Sequence, residues 1–215
     1  MNKSKIPNSR ILNDLIEYSK LPPQLVYERC KYAVYELAIQ WRRKKSIPDF
    51  YKNSELYLYD ITYYQLLLES HGLISQMIKQ IKKLRLHRIM EYGGGIGEFS
   101  LICDQNNMNV TYYDLDGVIK KYALWRFHKY KAKGITITKK DSLNEEWDIV
   151  NIMDVLEHLE KPNRVIERLS KKSRYIFCNP DQIQFNAFYP QHISKFNIRK
   201  YFKHLEVYLW KNKNL

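Results

Sequence analysis

Four of the seven glycines in the chain fall within five residues, in Ile89-Met90-Glu91-Tyr92-Gly93-Gly94-Gly95-Ile96-Gly97-Glu98-Phe99. A short apolar run enters this segment and helix-forming residues leave it. Glycine tolerates positive φ and lets a ligand lie against the backbone, and the N-terminus of a following helix offers unpaired N–H groups to a negative group. The segment therefore predicts a strand, a nucleotide-binding turn and a helix. Its spacing, Gly93-x-Gly95-x-Gly97, is not the dinucleotide fingerprint, whose third glycine lies one position later. No Gly-Lys-Ser/Thr follows, which excludes a nucleoside-triphosphate P-loop.

The same rhythm of strand and helix continues from residue 87 to the end. Apolar runs over 87–92, 109–115, 135–140, 148–154, 174–179 and 206–211 alternate with helical patterns over 97–106, 117–131, 163–171 and 194–204. Connections this short predict an α/β fold: a Rossmann-like, doubly wound, mainly parallel sheet with helices on both faces. Residues 1–85 hold no convincing strand. Pro22-Pro23 opens an amphipathic helix through Val26, Cys30, Ala33, Leu37 and Trp41, Ser54 caps another, and Gly72 separates it from a third over 73–84. The organisation expected is an N-terminal helical cap or substrate lid over 1–80 and a ligand-binding domain over 81–215.

Composition supports a folded chain and leaves its partners open. With 45% hydrophobic and 14% aromatic residues, the 215 residues can bury a core despite a formal charge of +13. That charge is spread out: 15 basic against 8 acidic residues in 1–85, and 21 against 15 in 86–215, give +7 and +6. Clusters at Arg42-Arg43-Lys44-Lys45, 79–88 and 120–133 suit phosphate or another anion, and equally a solvated lysine surface. Cys30, Cys103 and Cys178 have neither disulfide nor zinc-knuckle spacing. No apolar run reaches the roughly 20 residues of a membrane span, and the first residues lack a signal peptide, so the expectation is cytoplasmic, with no membrane partner. The oligomeric state is left open.

Acidic residues at strand ends supply candidate ligand contacts. Asp114 ends the second run about 20 residues past the glycines, where doubly wound sheets place an acid against ribose hydroxyls. Asp116, just before Gly117, fits a surface or helix-capping role instead. Asp141-Ser142 ends the third run, where a carboxylate can accept from an adenine amino group or simply form a turn.

Taken together, Glu91-Tyr92-Gly93-Gly94-Gly95-Ile96-Gly97, Tyr113-Asp114-Leu115-Asp116, Asp141-Ser142 and the stretch from Trp147 through Met153-Asp154-Val155-Leu156-Glu157-His158-Leu159 resemble a class I S-adenosylmethionine-dependent methyltransferase. The likeness covers about residues 75–210. The Leu156-Glu157-His158-Leu159 segment is most similar to the small-molecule branch that includes ubiquinone-pathway O-methyltransferases. The resemblance implies S-adenosyl-L-methionine as cofactor and a small-molecule acceptor, with an anionic one suiting the charge. It implies that Glu91 holds the methionine amino end, that Gly93, Gly95 and Gly97 let the cofactor pass, and that Asp114 binds the ribose. Leu115 would pack on the adenine, Asp141 and Ser142 would address its edge, and Met153 and Asp154 would lie beside the sulfonium. Tyr92 and Gly94 depart from the aliphatic and the small or cysteine residues usual there. Such enzymes end in a sixth and an antiparallel seventh strand, but only residues 212–215 follow the last run, leaving no sequence for a seventh.

Methyl transfer is mainly positioning, plus removal of a proton when the acceptor is a hydroxyl or an acidic carbon. His158 and His192, which follow the fourth and fifth strands, are the candidate bases, with helix packing as the alternative for His158. No metal is required by the sequence. Tyr57, Tyr59, Tyr63 and Tyr64 can close over the site and face the sulfonium, an interaction of about 0.5–2 kcal/mol, or belong to the core. Cys178, in Phe177-Cys178-Asn179-Pro180 at the end of the fifth strand, is placed like the nucleophile of RNA 5-methylcytosine enzymes, but the fourth strand ends Met153-Asp154-Val155 without their Pro-Cys pair, so it reads as a buried thiol. Two other readings keep the fold: RNA as acceptor, and a non-catalytic cofactor-binding subunit.

Overall fold

Strict alternation along the strands builds two hydrophobic layers on one sheet. The computed structural model describes residues 6–139, 141–179, 190–206 and 208–215. Its strands are β1 (Ile89–Tyr92), β2 (Val110–Tyr113), β3 (Ile135–Ile137), β4 (Trp147–Asn151), β5 (Ser173–Phe177), β6 (Phe202–Glu206) and β7 (Leu209–Asn212), in the order β3-β2-β1-β4-β5-β7-β6. β1 to β5 are parallel, with Ile89 opposite both Val110 and Ile149, and β7 joins β5 and β6 antiparallel. Ile89, Ile149, Tyr175 and Leu209 face one way and pack on α5 (Leu73–Lys83) and α6 (Glu98–Gln105). Met90, Val150, Ile176 and Trp210 face the other and pack on α8 (Pro162–Lys172). α7 (Val118–Lys129) follows β2.

The C-terminal segment corrects two expectations. No helix spans 194–204; a single 3-10 turn, Ile198–Lys200, capped by the Asn197 side chain, leads straight into β6. The last run is not one strand: it breaks between Glu206 and Leu209 into the β6–β7 hairpin, so the seventh strand does exist. Beyond Phe202, β6 is exposed, so its sequence lacks the apolar rhythm that marks a strand. As the outer strand it is short, charged and bulged at His204/Glu206, features that discourage edge-to-edge pairing. Lys140, the last residue of the third run, and Pro180, just past the fifth, lie outside the described residues.

Among the described residues, five helices precede the sheet: α1 (Arg10–Ser19), α2 (Pro23–Arg42), α3 (Ile47–Asn53), α4 (Glu55–Ser70) and α5. Ser9, Ser46 and Ser54 cap α1, α3 and α4, each accepting a backbone N–H of the first turn. α1, α2 and α4 share an apolar cluster with Ile96, Ile119 and Tyr122, so the helical segment packs on the back of the glycine turn and on α7. A buried ion cluster fastens the joint. The Arg126 guanidinium donates to Asp14 at 2.9 Å, to Glu98 at 2.6 Å and to the Ile96 carbonyl at 2.9 Å. Lys129 donates to Asp14 at 2.7 Å, and Arg10 pairs with Glu98. Among the described residues, no helix is long and apolar enough to cross a membrane.

Candidate functional site

A cavity of about 980 Å³ opens where β1, β2 and β4 end, bounded by the glycine turn on one side and by α3 and α4 on the other. Ligands of doubly wound sheets sit at this carboxyl edge. The turn is shaped by positive φ at Gly93, Gly95 and Gly97. At Gly95 a side chain would also strike Ile61, whose Cδ1 lies 2.5 Å from the position of a Cβ. Gly94 has a different reason: its missing Cβ is replaced by the Tyr112 ring, 2.5 Å away, and the Tyr112 hydroxyl donates to the Gly95 carbonyl at 2.7 Å.

Asp114 closes this lattice. Its Oδ2 accepts the Gly95 N–H and its Oδ1 the Leu115 N–H, both at 2.6 Å. Burial pushes the carboxyl up to about 6, against the pull of those N–H groups and Lys120. Lone pairs remain on both oxygens for a ligand. Glu91, at the core of β1, accepts from the Ser100 N–H at 3.2 Å and from the Ser100 hydroxyl, yet burial still raises it to about 8. Asp116 lies outside this lattice; it is exposed, pairs with Lys120 at 2.8 Å and makes no helix cap.

Met153 and Asp154 follow β4 into the cavity. Asp154 has φ of 54°, an unusual backbone state for a residue other than glycine. The Asn179 side chain holds it there, accepting the Asp154 N–H at 3.3 Å and donating to its carboxylate at 2.5 Å. Burial raises the Asp154 carboxyl, while hydrogen bonds from Tyr64 and Asn179 oppose the rise.

The next turn, Leu156–His158, carries Glu157 and His158, and His192 comes across from beyond β5. The His158 and His192 rings meet edge to face at 4.9 Å. His158 Nδ1 lies 2.9 Å from the Tyr51 hydroxyl and 3.2 Å from the Gln191 carbonyl. Burial, then the neighbouring His192, push His158 down to about 4, so it is neutral at neutral pH. Burial and then Asp154 raise Glu157 to about 7.

Other sequence candidates divide. Leu115, Tyr57, Tyr63 and Tyr64 line the cavity. Tyr59 does not: it is buried with Ile11, Leu15 and Cys30, under the Arg29 guanidinium. Asp141 and Ser142 also lie outside the lining. Asp141 is held by Arg168 at 2.8 and 3.2 Å, and the Ser142 carbonyl accepts from Trp147. Cys178 is buried in the core.

Sequence reasoning missed Tyr51, Asp60 and Glu157. Asp60 had a signal: Tyr57, Asp60, Ile61 and Tyr64 repeat at the three- and four-residue spacing of one helix face, and all four line the cavity. Burial raises the Asp60 carboxyl to about 6. Tyr51 had none, being brought in by a separate short helix.

Comparison with known proteins adds family and fold. A family model described as a methyltransferase domain matches residues 58–203. The N-methyltransferase NodS of Bradyrhizobium japonicum, solved with S-adenosyl-L-homocysteine, is 14% identical with a TM-score of 0.53 over 66% of this chain and 87% of its own. Magnesium protoporphyrin IX methyltransferase of Synechocystis, solved with bound SAM, is 19% identical with a TM-score of 0.47 over 57% of this chain and 62% of its own. The [4+2]-cyclase SpnF is 15% identical with a TM-score of 0.39 over 43% and 38%. The chain thus spans less than two thirds of the length of the last two. No curated protein matches it.

Proposed function

The chain belongs to the methyltransferase-domain family, and on that premise we propose that it transfers a methyl group from S-adenosyl-L-methionine to a small-molecule acceptor. The supporting observation is the Asp114 carboxylate, locked to the Gly95 N–H at the cavity wall with lone pairs to spare. The donor set suits the ligand as well. Asp60, Glu91, Asp114 and Asp154 all line the cavity with carboxyls raised by burial, so a ligand that brings positive charge relieves them.

The bound cofactor supplies an electrophilic methyl group on a positively charged sulfur, together with an ammonium group, a ribose and an adenine. In this reading Glu91 holds the ammonium group and Asp114 the ribose hydroxyls, while Gly93 and Gly95 clear the path between them; Gly97 lies outside the lining and instead makes room for Phe127 of α7. Leu115 packs on the adenine, and Asp141 reaches its edge only by releasing Arg168. Met153 and Asp154 flank the sulfonium. The stripe of Tyr57 and Tyr64, with Tyr63 beside it, covers the site from the helical segment over 1–80 and excludes water. His158 and His192 stand where an acceptor's proton leaves, and Lys31, Lys161 and Arg164 are available to an anionic acceptor group.

Calorimetry tests the cofactor assignment: wild type binds S-adenosylmethionine one to one and Asp114→Ala binds it at least 100-fold more weakly. Incubating the protein with methyl-labelled cofactor, a metabolite extract and an RNA pool, then reading the products by mass spectrometry, tests the acceptor. Label in a metabolite is expected. Label in RNA alone moves the acceptor class to nucleic acid, and tight binding with no transfer leaves a cofactor-binding subunit.

A further inference from the structure

We infer that Glu157, His158 and His192 form a site for a divalent first-row transition-metal cation at the acceptor end of the cavity, and that the acceptor offers this cation an oxygen ligand. Each side chain presents a ligating atom, and the three atoms lie within 4.8 Å of one another. Two imidazoles with one carboxylate are a donor set for zinc, iron, cobalt or manganese, and three protein ligands leave positions open for a small molecule. All three residues line the cavity, so the open positions face space that an acceptor can fill.

The ligands are fixed from two directions. Glu157 and His158 are neighbours on one tight turn, and the Glu157 carbonyl accepts the Ile193 N–H at 2.9 Å and the Ser194 N–H at 3.2 Å. Those two bonds tie the His192 segment to the Glu157 turn, so the cluster does not depend on side chains meeting by chance. His158 Nδ1 faces the Gln191 carbonyl at 3.2 Å. A carbonyl only accepts, so in the tautomer that makes this bond the proton is on Nδ1 and the Nε2 lone pair is left to ligate. Metal-binding histidines are oriented in this way by a carbonyl or carboxylate on the second nitrogen. Tyr51 sits on the same Nδ1 and steadies the ring. Among the described residues, no ion pair with lysine or arginine reaches Glu157. A carboxylate turned towards two imidazoles, with no organic cation of its own, has a cation as its natural complement.

Binding is argued from these residues alone; the role rests on the methyl-transfer reading. A hydroxyl bound to such a cation is made more acidic and can release its proton to water. Neither histidine then has to act as a base, and the acceptor class narrows to compounds with a hydroxyl able to ligate.

The test is a calorimetric titration of the EDTA-stripped full chain with manganese chloride and with cobalt chloride, without cofactor. One cation per chain is expected, with a visible d–d absorbance for cobalt. His192→Ala and Glu157→Gln should each weaken binding at least tenfold, with S-adenosylmethionine affinity, measured separately, within threefold of wild type. In the wild-type chain, Mn²⁺ should broaden the ring signals of His158 and His192 before those of the other histidines, a readout that needs no variant. Absence of saturable one-to-one binding, unchanged affinity in both variants, or broadening centred elsewhere overturns the site. Because the titration contains no cofactor, its failure is separate from failure of the methyltransferase reading, which S-adenosylmethionine binding decides.

Discussion

The two walls of the cavity are built by opposite strategies. The cofactor wall, from Glu91 to Leu115, is one stretch of chain in which backbone does the holding: Gly95 N–H on Asp114, Leu115 N–H on Asp114 and Gly95 carbonyl on Tyr112. The acceptor wall is assembled from four distant places: Tyr51 on α3, the Tyr57-to-Tyr64 stripe on α4, the turn at Glu157-His158, and Gln191-His192. There the contacts join segments far apart in the chain, as in Tyr51 on His158 and the Glu157 carbonyl on the Ile193 N–H. A wall of backbone donors recognises one ligand and tolerates little change. A wall of side chains from scattered segments can be altered one residue at a time, and so, on the methyl-transfer reading proposed above, it is where acceptor choice would reside.

The sharpest way to break this contrast is to remove what braces the cofactor wall. Arg126 is buried between Asp14, Glu98 and the Ile96 carbonyl, and losing one member of such a buried ionic cluster costs about 3–5 kcal/mol. Arg126→Met should therefore lower the urea midpoint of unfolding strongly, and an unchanged midpoint would show that the brace is not needed. Asp114→Ala comes next: S-adenosylmethionine affinity should drop at least 100-fold, about 2.7 kcal/mol, while the cation titration stays as in wild type. If both move together, the walls are not independent. His158→Ala and His192→Ala should do the reverse, leaving cofactor affinity within threefold and lowering turnover at saturating cofactor at least tenfold.

The smallest effect is a pH dependence. Burial holds the Asp60 carboxyl at about 6 in the folded protein against an ordinary 3.8, so the native state binds that proton more tightly than the unfolded chain. Its contribution is favourable below about pH 4 and is lost as pH rises through 6. Ligand-free protein should therefore melt lower at pH 7.5 than at pH 5, and Asp60→Asn should flatten the trend by a few degrees, at roughly 2–4 °C per kcal/mol for a chain of this size. An identical slope in the variant would remove Asp60 as the cause.

What the sequence made legible follows the same division. Glycines, a strand and an acid about 20 residues later state the cofactor wall locally, and Asp114 is where that spacing puts it. Asp141 was read by the same logic, but Arg168, far along the chain, draws its carboxylate away from the cavity, a long-range pairing that no local pattern encodes. Tyr59 illustrates helical phase: two residues from Tyr57, it turns to the α1 and α2 side and becomes core. His158 and His192 were each visible as histidines beyond strand ends, yet nothing in the sequence put them in contact with each other or with Glu157. The β6–β7 hairpin was hidden because an exposed edge strand has no buried face to impose alternation.

The shared guanidinium of Arg126 has one more consequence. It answers at once to a helix near the start of the chain and to the loop that carries the glycines, so the helical segment and the sheet are matched parts. A shuffling event that brought in a new set of covering helices, to suit a new acceptor, would succeed only if an acid came with them at the place of Asp14. The ancestry of the two segments should therefore be joint, with that pair of charges inherited together.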